Sequence, residues 1–360
     1  MSMNCKQAKE AITTCVKAGL VPFLRGSPGV GKSSIIAEIA QDFNLKFIDF
    51  RLSQADPVDL NGFPTINQAT QTASYVPMDV FPIASMDLPI KTPEVKDASG
   101  NVIEKATYYS GWMLFLDEFN SASLAVQKAT YKVVLDRMVG QHSLHKNVAM
   151  VCAGNLETDN AITSKLSTAM QSRLIHLELH TDPKEWCQWA ATAQIDYRIT
   201  SYINFKPDSL NMFAVLNKDN KIENTFPCQR TWEFVHRLIK NIPLLGTEHL
   251  ELLSGTIGAG TASEFIGFTK VFQDLPTIQD ILNNPNSAKV PQDPSSMYAV
   301  AGLVSNHADD KNAKAILDYI QRLPTEFTVL TMQDAIRRNP SFINNEHVDN
   351  WLEKNMNDIL

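Results

Sequence analysis

The sequence predicts an α/β core, with a parallel sheet flanked by helices, followed by a helical second half. Three observations carry this. Strand-like and helix-like segments alternate through the first half of the chain. The runs 112–116 and 148–153 are short and continuously apolar, as strands covered on both faces should be. From about residue 182 strand-like runs disappear and helical patterns replace them.

In chain order, 4–18 has helical spacing and 20–25 reads as the first strand, where Pro22 is tolerable only near the start. After a glycine-rich loop, Ile35, Ile36, Ile39, Ala40 and Phe43 recur at helical intervals, and 45–52 is the second strand candidate. Residues 53–110 break the rhythm. They are rich in Pro, Asp, Thr and Ser, and a segment of that length inside a domain marks function or partial disorder. The strand 112–116 follows, then a helix over 122–138, the strand 148–153, a helix over 161–171 and a fifth strand at 174–179. Strands alternating with helices imply right-handed crossovers. A boundary near 180–183 divides a core, 1–181, with its insertion at about 53–110, from a helical domain over 182–272. The Pro- and Asn-containing stretch 275–294 introduces a helical C-terminal extension, 273–360.

Composition excludes several classes. Hydrophobic content of 44% and charged content of 20% are ordinary for a globular protein. A net charge of −7 and a pI near 5.6 argue against a broad nucleic-acid or acidic-membrane footprint. The five cysteines are scattered without a C-x-x-C pair, which suits a reducing compartment and gives no zinc signature. No apolar run reaches membrane-spanning length and the N-terminus lacks the order of a signal peptide, so the expected location is cytoplasmic.

The chemistry begins at Gly26, Ser27, Pro28, Gly29, Val30, Gly31, Lys32 and Ser33, a full match to G-x-x-x-x-G-K-[ST], with Ser34 next in the helix. Glycines let backbone N–H groups turn onto an anion, and the following helix adds the positive end of its dipole. Lys32 supplies a point charge for β/γ-phosphates, and the Ser33 hydroxyl is a ligand for Mg²⁺. By residue frequencies a chance match in a chain this long is on the order of one in a hundred. The ligand is a nucleoside triphosphate, ATP in the reading adopted.

The apolar run 114–116 ends in Asp117 and Glu118, and open α/β sheets bind ligands at the carboxyl ends of their strands. Asp117 would hold the water shell of Mg²⁺, and Glu118 would polarise the attacking water. The next strand ends Gly154-Asn155, and an amide there can serve water and γ-phosphate without adding charge.

The order of these motifs resembles an AAA+ ATPase. The phosphate loop (Walker A) is followed by Asp117-Glu118-Phe119-Asn120 (Walker B), Asn155, Ser172-Arg173-Leu174 and Pro227-Cys228-Gln229-Arg230. More narrowly the chain is similar to the MoxR branch, through the D-E-F-N segment, Val126-Gln127-Lys128-Ala129 and Asp59-Leu60-Asn61-Gly62. The resemblance covers about residues 15–270. It implies a P-loop NTPase core with a helical lid and ATP hydrolysis with Mg²⁺ in a homo-oligomeric ring, expected to be a hexamer. It further implies a chaperone-like action on a protein client, with remodelling or cofactor or metal insertion, the client carrying a von Willebrand type A domain. Asn155 then matches sensor 1, and Arg173 an arginine finger directed at the neighbouring subunit. Arg230 matches sensor 2, which contacts the phosphates of its own subunit. Guanidinium suits both because it stays charged and binds phosphate in a fork.

The chain departs from that pattern in two places. The segment 139–148 leaves room only for a short hairpin before sensor 1, and 88–105 reads as an added polar excursion. Two rival functions remain in view: a nucleic-acid motor, disfavoured by the acidic balance, and an ATP-gated scaffold, disfavoured by Glu118 and Arg173. His142 and His145 read as a hairpin turn rather than a metal pair, Trp186 and Trp189 as the buried face of the first lid helix, and Cys152 as an inert core residue.

Overall fold

The computed structural model describes residues 2–97, 102–159, 166–218 and 224–355. The chain divides into two compact units, Met1–His180 and Thr181–Leu360.

In the first unit, α1 (Cys5–Lys17) opens on a capping box in which Asn4 and Gln7 bond each other's backbone N–H. Then come β1 (Pro22–Arg25), α2 (Lys32–Asp42) and β2 (Leu45–Arg51). The expected irregular insertion is built instead from a short helix and narrow ribbons. Helix α3 (Pro57–Asn61) leads into β3 (Phe63–Asn67) and β4 (Thr72–Val76), an antiparallel pair whose every residue is exposed. The second excursion pairs β5 (Ile90–Thr92) and β6 (Val95–Lys96) with the returning β7 (Val102–Glu104) and β8 (Thr107–Tyr108). Next are β9 (Gly111–Asp117) and α4 (Leu124–Leu135), the latter capped by Ser123. A two-residue-stranded hairpin, β10 (Met138–Val139) and β11 (His142–Ser143), precedes β12 (Val148–Gly154). The unit closes with α5 (Thr168–Gln171) and β13 (Ile175–Glu178). The helix expected over 161–171 lies outside the described residues for 161–165.

Among the described residues the main sheet has five strands in the order β13-β1-β12-β9-β2, and each adjacent pair is parallel. Both faces are covered, which is why β9 and β12 read as unbroken apolar runs. Alternation assigns their side chains to two clusters. Trp112, Leu114, Leu116, Met150, Cys152 and Phe23 pack with Val126 and Val133 of α4. Met113, Phe115, Val151, Ala153 and Leu24 pack with Ile12 of α1 and Ile36 and Ile39 of α2. Cys152 is fully buried, and burial pushes its thiol well above the ordinary range, so it behaves as an inert small hydrophobe.

The second unit is helical throughout its described residues: α6 (Pro183–Thr192), α7 (Tyr197–Phe205), α8 (Phe213–Lys218), α9 (Gln229–Ile239), α10 (Leu250–Ile257) and α11 (Ala259–Thr269), then α12 (Ile278–Asn283), α13 (Pro294–Asn306), α14 (Ala313–Ile320), α15 (Thr325–Arg338) and α16 (Glu346–Lys354). One apolar cluster centres on Tyr202, Trp232 and Phe265, a second on Ile316, Tyr319 and Phe342. Helix α13 supplies Ala299 to the first and Val300 and Val304 to the second, so the two share a wall. A buried ion pair, Arg198–Asp196, ties the first cluster together, because Arg198 also donates to the carbonyls of Ile239, Ile242 and Pro243. Every donor contact of that kind offsets part of the cost of burying the charge.

The Trp186–Trp189 expectation is half corrected. Trp186 is buried, but Trp189 is 49% exposed. The buried stripe of α6 is Trp186, Cys187, Ala190 and Ala191, and position 189 lies roughly 130° round the helix from its middle.

Candidate nucleotide site

The site is assembled at the carboxyl ends of β1, β12 and β9, which stand next to one another. Register places Gly154 level with Arg25, and Leu116 level with Cys152, so three loops leave the sheet at nearly one height.

The loop after β1 turns through Gly29 and Gly31, both with positive φ (77° and 89°). Gly31 is the N-cap of α2, and its left-handed backbone is a conformation that other residues enter at a cost. Val30 is buried among Ile35 and Ile36, which anchors the loop to the core. Lys32, the first helical residue, folds back over the loop. Its Nζ donates to the carbonyls of Gly26 (2.6 Å) and Ser27 (3.2 Å) and to Oδ1 of Asn155 (3.1 Å). The sequence-predicted Lys32 and Asn155 are therefore in direct contact, although 123 positions separate them. Ser34 is exposed beside them on the first turn of α2.

Ser33 Oγ donates to Oδ2 of Asp117 at 3.4 Å. Burial pushes the Asp117 carboxyl above its usual value, while a hydrogen bond from the Glu118 N–H and the Lys32 charge hold it down. A hydroxyl and a carboxylate converging on one point form an oxygen donor set suited to a hard cation, so these two residues fit Mg²⁺.

Glu118 breaks the strand's alternation. Successive carboxylates on a regular strand would point to opposite faces, but Glu118 adopts φ 56°, ψ 33°, ending the strand and redirecting its side chain. Its Oε2 accepts a hydrogen bond from Ser53 Oγ, in the turn just after β2. Sequence reasoning missed Ser53, which carries no motif and lies 65 positions away.

Asn120, quoted within the D-E-F-N segment without a role, brackets the Asn155 backbone. Its Nδ2 donates to the Asn155 carbonyl (2.8 Å) and its Oδ1 accepts from the Asn155 N–H (3.1 Å). The fit is close: a Cβ on Gly154 would stand 2.3 Å from Asn120 Oδ1. Asn120 also lines a cavity of about 290 Å³ with Phe23, Arg25, Glu157 and His176. A second missed residue, Asp159, accepts from Ser27 Oγ.

Arg173 is exposed, and its described hydrogen bond runs to the Ala169 carbonyl in α5 of its own chain. No described bond links it to the Lys32–Asn155 cluster of its own chain. Arg230 is exposed on the first turn of α9, in the second unit. His142 lies in the β10–β11 hairpin and bonds the Tyr75 carbonyl, His145 packs on Trp112, and among the described residues no group of acidic, histidine or cysteine side chains is arranged to hold a metal ion. No described helix is long and apolar enough to cross a membrane.

Residues 22–177 match the family model described as "ATPase family associated with various cellular activities (AAA)". A search of curated proteins found no match. Solved structures similar to the chain include the Holliday junction branch migration motor RuvB of Thermotoga maritima, 15% identical, covering 88% of this chain and 86% of that one at a TM-score of 0.36. Another is NtrX from Brucella abortus in complex with ADP, 13% identical, covering 98% and 68% at a TM-score of 0.37.

Proposed function

We propose that this chain, whose residues 22–177 form an AAA ATPase domain, is a Mg²⁺-dependent ATPase of MoxR type that works as a homo-oligomeric ring on a protein client. The observation that supports it most is the convergence of Lys32, Asn155, Ser33, Asp117 and Glu118 at the ends of three adjacent strands. The MoxR-type segments Val126-Gln127-Lys128-Ala129 and Asp59-Leu60-Asn61-Gly62 favour that branch.

In this reading the loop N–H groups and the N-terminus of α2 hold the phosphates, while Lys32 exchanges its carbonyl partners for β/γ-oxygens. Ser33 and Asp117 would hold Mg²⁺, which neutralises phosphate charge when bound. Glu118, released from Ser53, accepts a proton from the attacking water. Asn155, held by Asn120, donates to the γ-phosphate and fixes the water's line of attack. Arg173 of the neighbouring subunit stabilises charge on the transferring group, and Arg230 serves as sensor 2. The exposed ribbons of 63–108 are candidates for contact with a client, and a von Willebrand type A domain is the expected client fold.

The test is affinity capture in ATP and Mg²⁺ with Glu118→Gln, which should bind ATP yet stall before hydrolysis, against Lys32→Ala as the non-binding control. A protein recovered with Glu118→Gln alone supports the remodelling reading. Recovery of nucleic acid that is lost at raised salt would replace it with the motor reading.

A further inference from the structure

Asp159 lies in a short 3₁₀ turn after β12 and is 6% exposed. Its carboxylate makes two bonds in different directions. Oδ1 accepts from Ser27 Oγ in the phosphate loop (3.2 Å), and Oδ2 accepts from the Leu156 N–H (3.3 Å), next to Asn155. Ser27 and Asp159 are 132 positions apart, so the contact exists only in the folded core.

The segment 155–159 thus has two described side-chain links to the phosphate loop, Lys32–Asn155 and Ser27–Asp159. The first is formed by the lysine whose charge the phosphates of a bound nucleotide recruit. Once Lys32 turns to phosphate, the second link is the described side-chain bond that still joins the segment to the loop, beside the backbone bond from the Gly26 N–H to the Gly154 carbonyl. A sensor amide must hold its donor to within a fraction of an ångström of the reacting oxygens, and misplacement by about 1 Å costs on the order of 10²-fold in rate. Burying a carboxylate whose described partners are one hydroxyl and one amide also carries a desolvation cost, which a surface cap would not incur.

We propose that Asp159 is a positioning residue for ATP hydrolysis, holding the Asn155 segment in register with the phosphate loop when Lys32 engages nucleotide; this rests on the nucleotide-site reading above. The role is geometric rather than electrostatic. A carboxamide can make the same two bonds, its oxygen accepting from Leu156 N–H and its nitrogen donating to Ser27 Oγ.

The experiment measures kcat, the Kd of a fluorescent ADP analogue and the melting temperature for Asp159→Ala and Asp159→Asn in the full chain. Asp159→Ala is expected to lose about 10- to 100-fold in kcat while ADP affinity stays within about threefold, since ADP engages the loop but not the sensor. Asp159→Asn is expected to hold kcat within about threefold of the native protein. A native kcat in Asp159→Ala overturns the proposal. So does an ADP affinity that falls in step with kcat, or an Asp159→Asn as slow as Asp159→Ala. Glu118→Gln measured alongside separates the two readings. Native turnover in that variant overturns the site itself, whereas slow turnover there beside a native-rate Asp159→Ala overturns the positioning role alone.

Discussion

A single methyl group tests how the sensor segment is held. In Gly154→Ala the new Cβ would lie 2.3 Å from Asn120 Oδ1, 2.9 Å from its Cγ and 3.0 Å from Phe23 Cε2. Both neighbours are buried, Asn120 3% and Phe23 1% exposed, so the methyl is accommodated only by displacing them toward the cavity they line. Relief requires Asn120 to move by about 1 Å, which breaks the bonds at 2.8 and 3.1 Å that bracket Asn155. Overpacking of this kind costs about 1–3 kcal/mol, and each of the two lost hydrogen bonds about 0.5–1.5 kcal/mol, so about 2–6 kcal/mol in sum. For a unit of this size that lowers the melting temperature by about 4–24 °C. Because the displaced group is the clamp on Asn155, kcat should fall by about 10²-fold while ADP still binds. The assay is steady-state ATP hydrolysis beside thermal unfolding. Gly255→Ala is the control: its methyl would meet nothing within 4 Å inside α10, and it should be neutral or stabilising by about 0.5–1 kcal/mol. A Gly154→Ala protein with native melting temperature and native kcat would refute the reasoning.

Further outcomes follow from the same geometry. Arg173→Ala should bind ATP normally yet lose about 10³- to 10⁵-fold in turnover if the finger acts between subunits; loss of nucleotide binding with the fold intact would count against that role. Ser53→Ala frees the Glu118 carboxylate from its described hydroxyl partner, so the variant should retain ADP affinity while its basal hydrolysis rate changes, read by the same assay. In the helical unit, burial raises the Asp334 carboxyl to about 6 despite Arg338 and Arg337 on its own helix. A folded value above the ordinary 3.8 means stability that is present at low pH and lost as pH rises through about 6. Asp334→Asn should therefore match the native protein near pH 4 and exceed it above pH 7 by up to about 3 kcal/mol, measured as melting temperature against pH; parallel curves would contradict the burial argument.

The elements most legible in the sequence are those whose signal is contiguous. Gly26 to Ser33 is a backbone conformation written in eight consecutive residues, with glycine where φ is positive and a lysine at the first helical position. Strands β9 and β12 were readable because burial on both faces leaves no polar residue to interrupt the run. The ribbons within 63–108 were not. Both of their faces meet solvent, so nothing imposes the apolar–polar alternation by which a strand is recognised. Trp189 shows a finer failure. Two large apolar residues three apart looked like one face, and only the rest of the α6 stripe shows which side is buried.

By itself, then, the chain's order of residues determined a phosphate-binding loop, two acids at a strand end, an amide at another, and the α/β core followed by helices. Those features follow from local backbone preference and from the uniform burial of parallel strands. Only the tertiary structure decided which side chains serve one another. That Asn155 meets Lys32, that Asn120 clamps Asn155, that Ser53 holds Glu118 and that Asp159 reaches Ser27 all depend on β12 inserting between β1 and β9 and on β2 joining beyond β9. Strand order is set by packing across the whole sheet, and no local stretch of sequence encodes it.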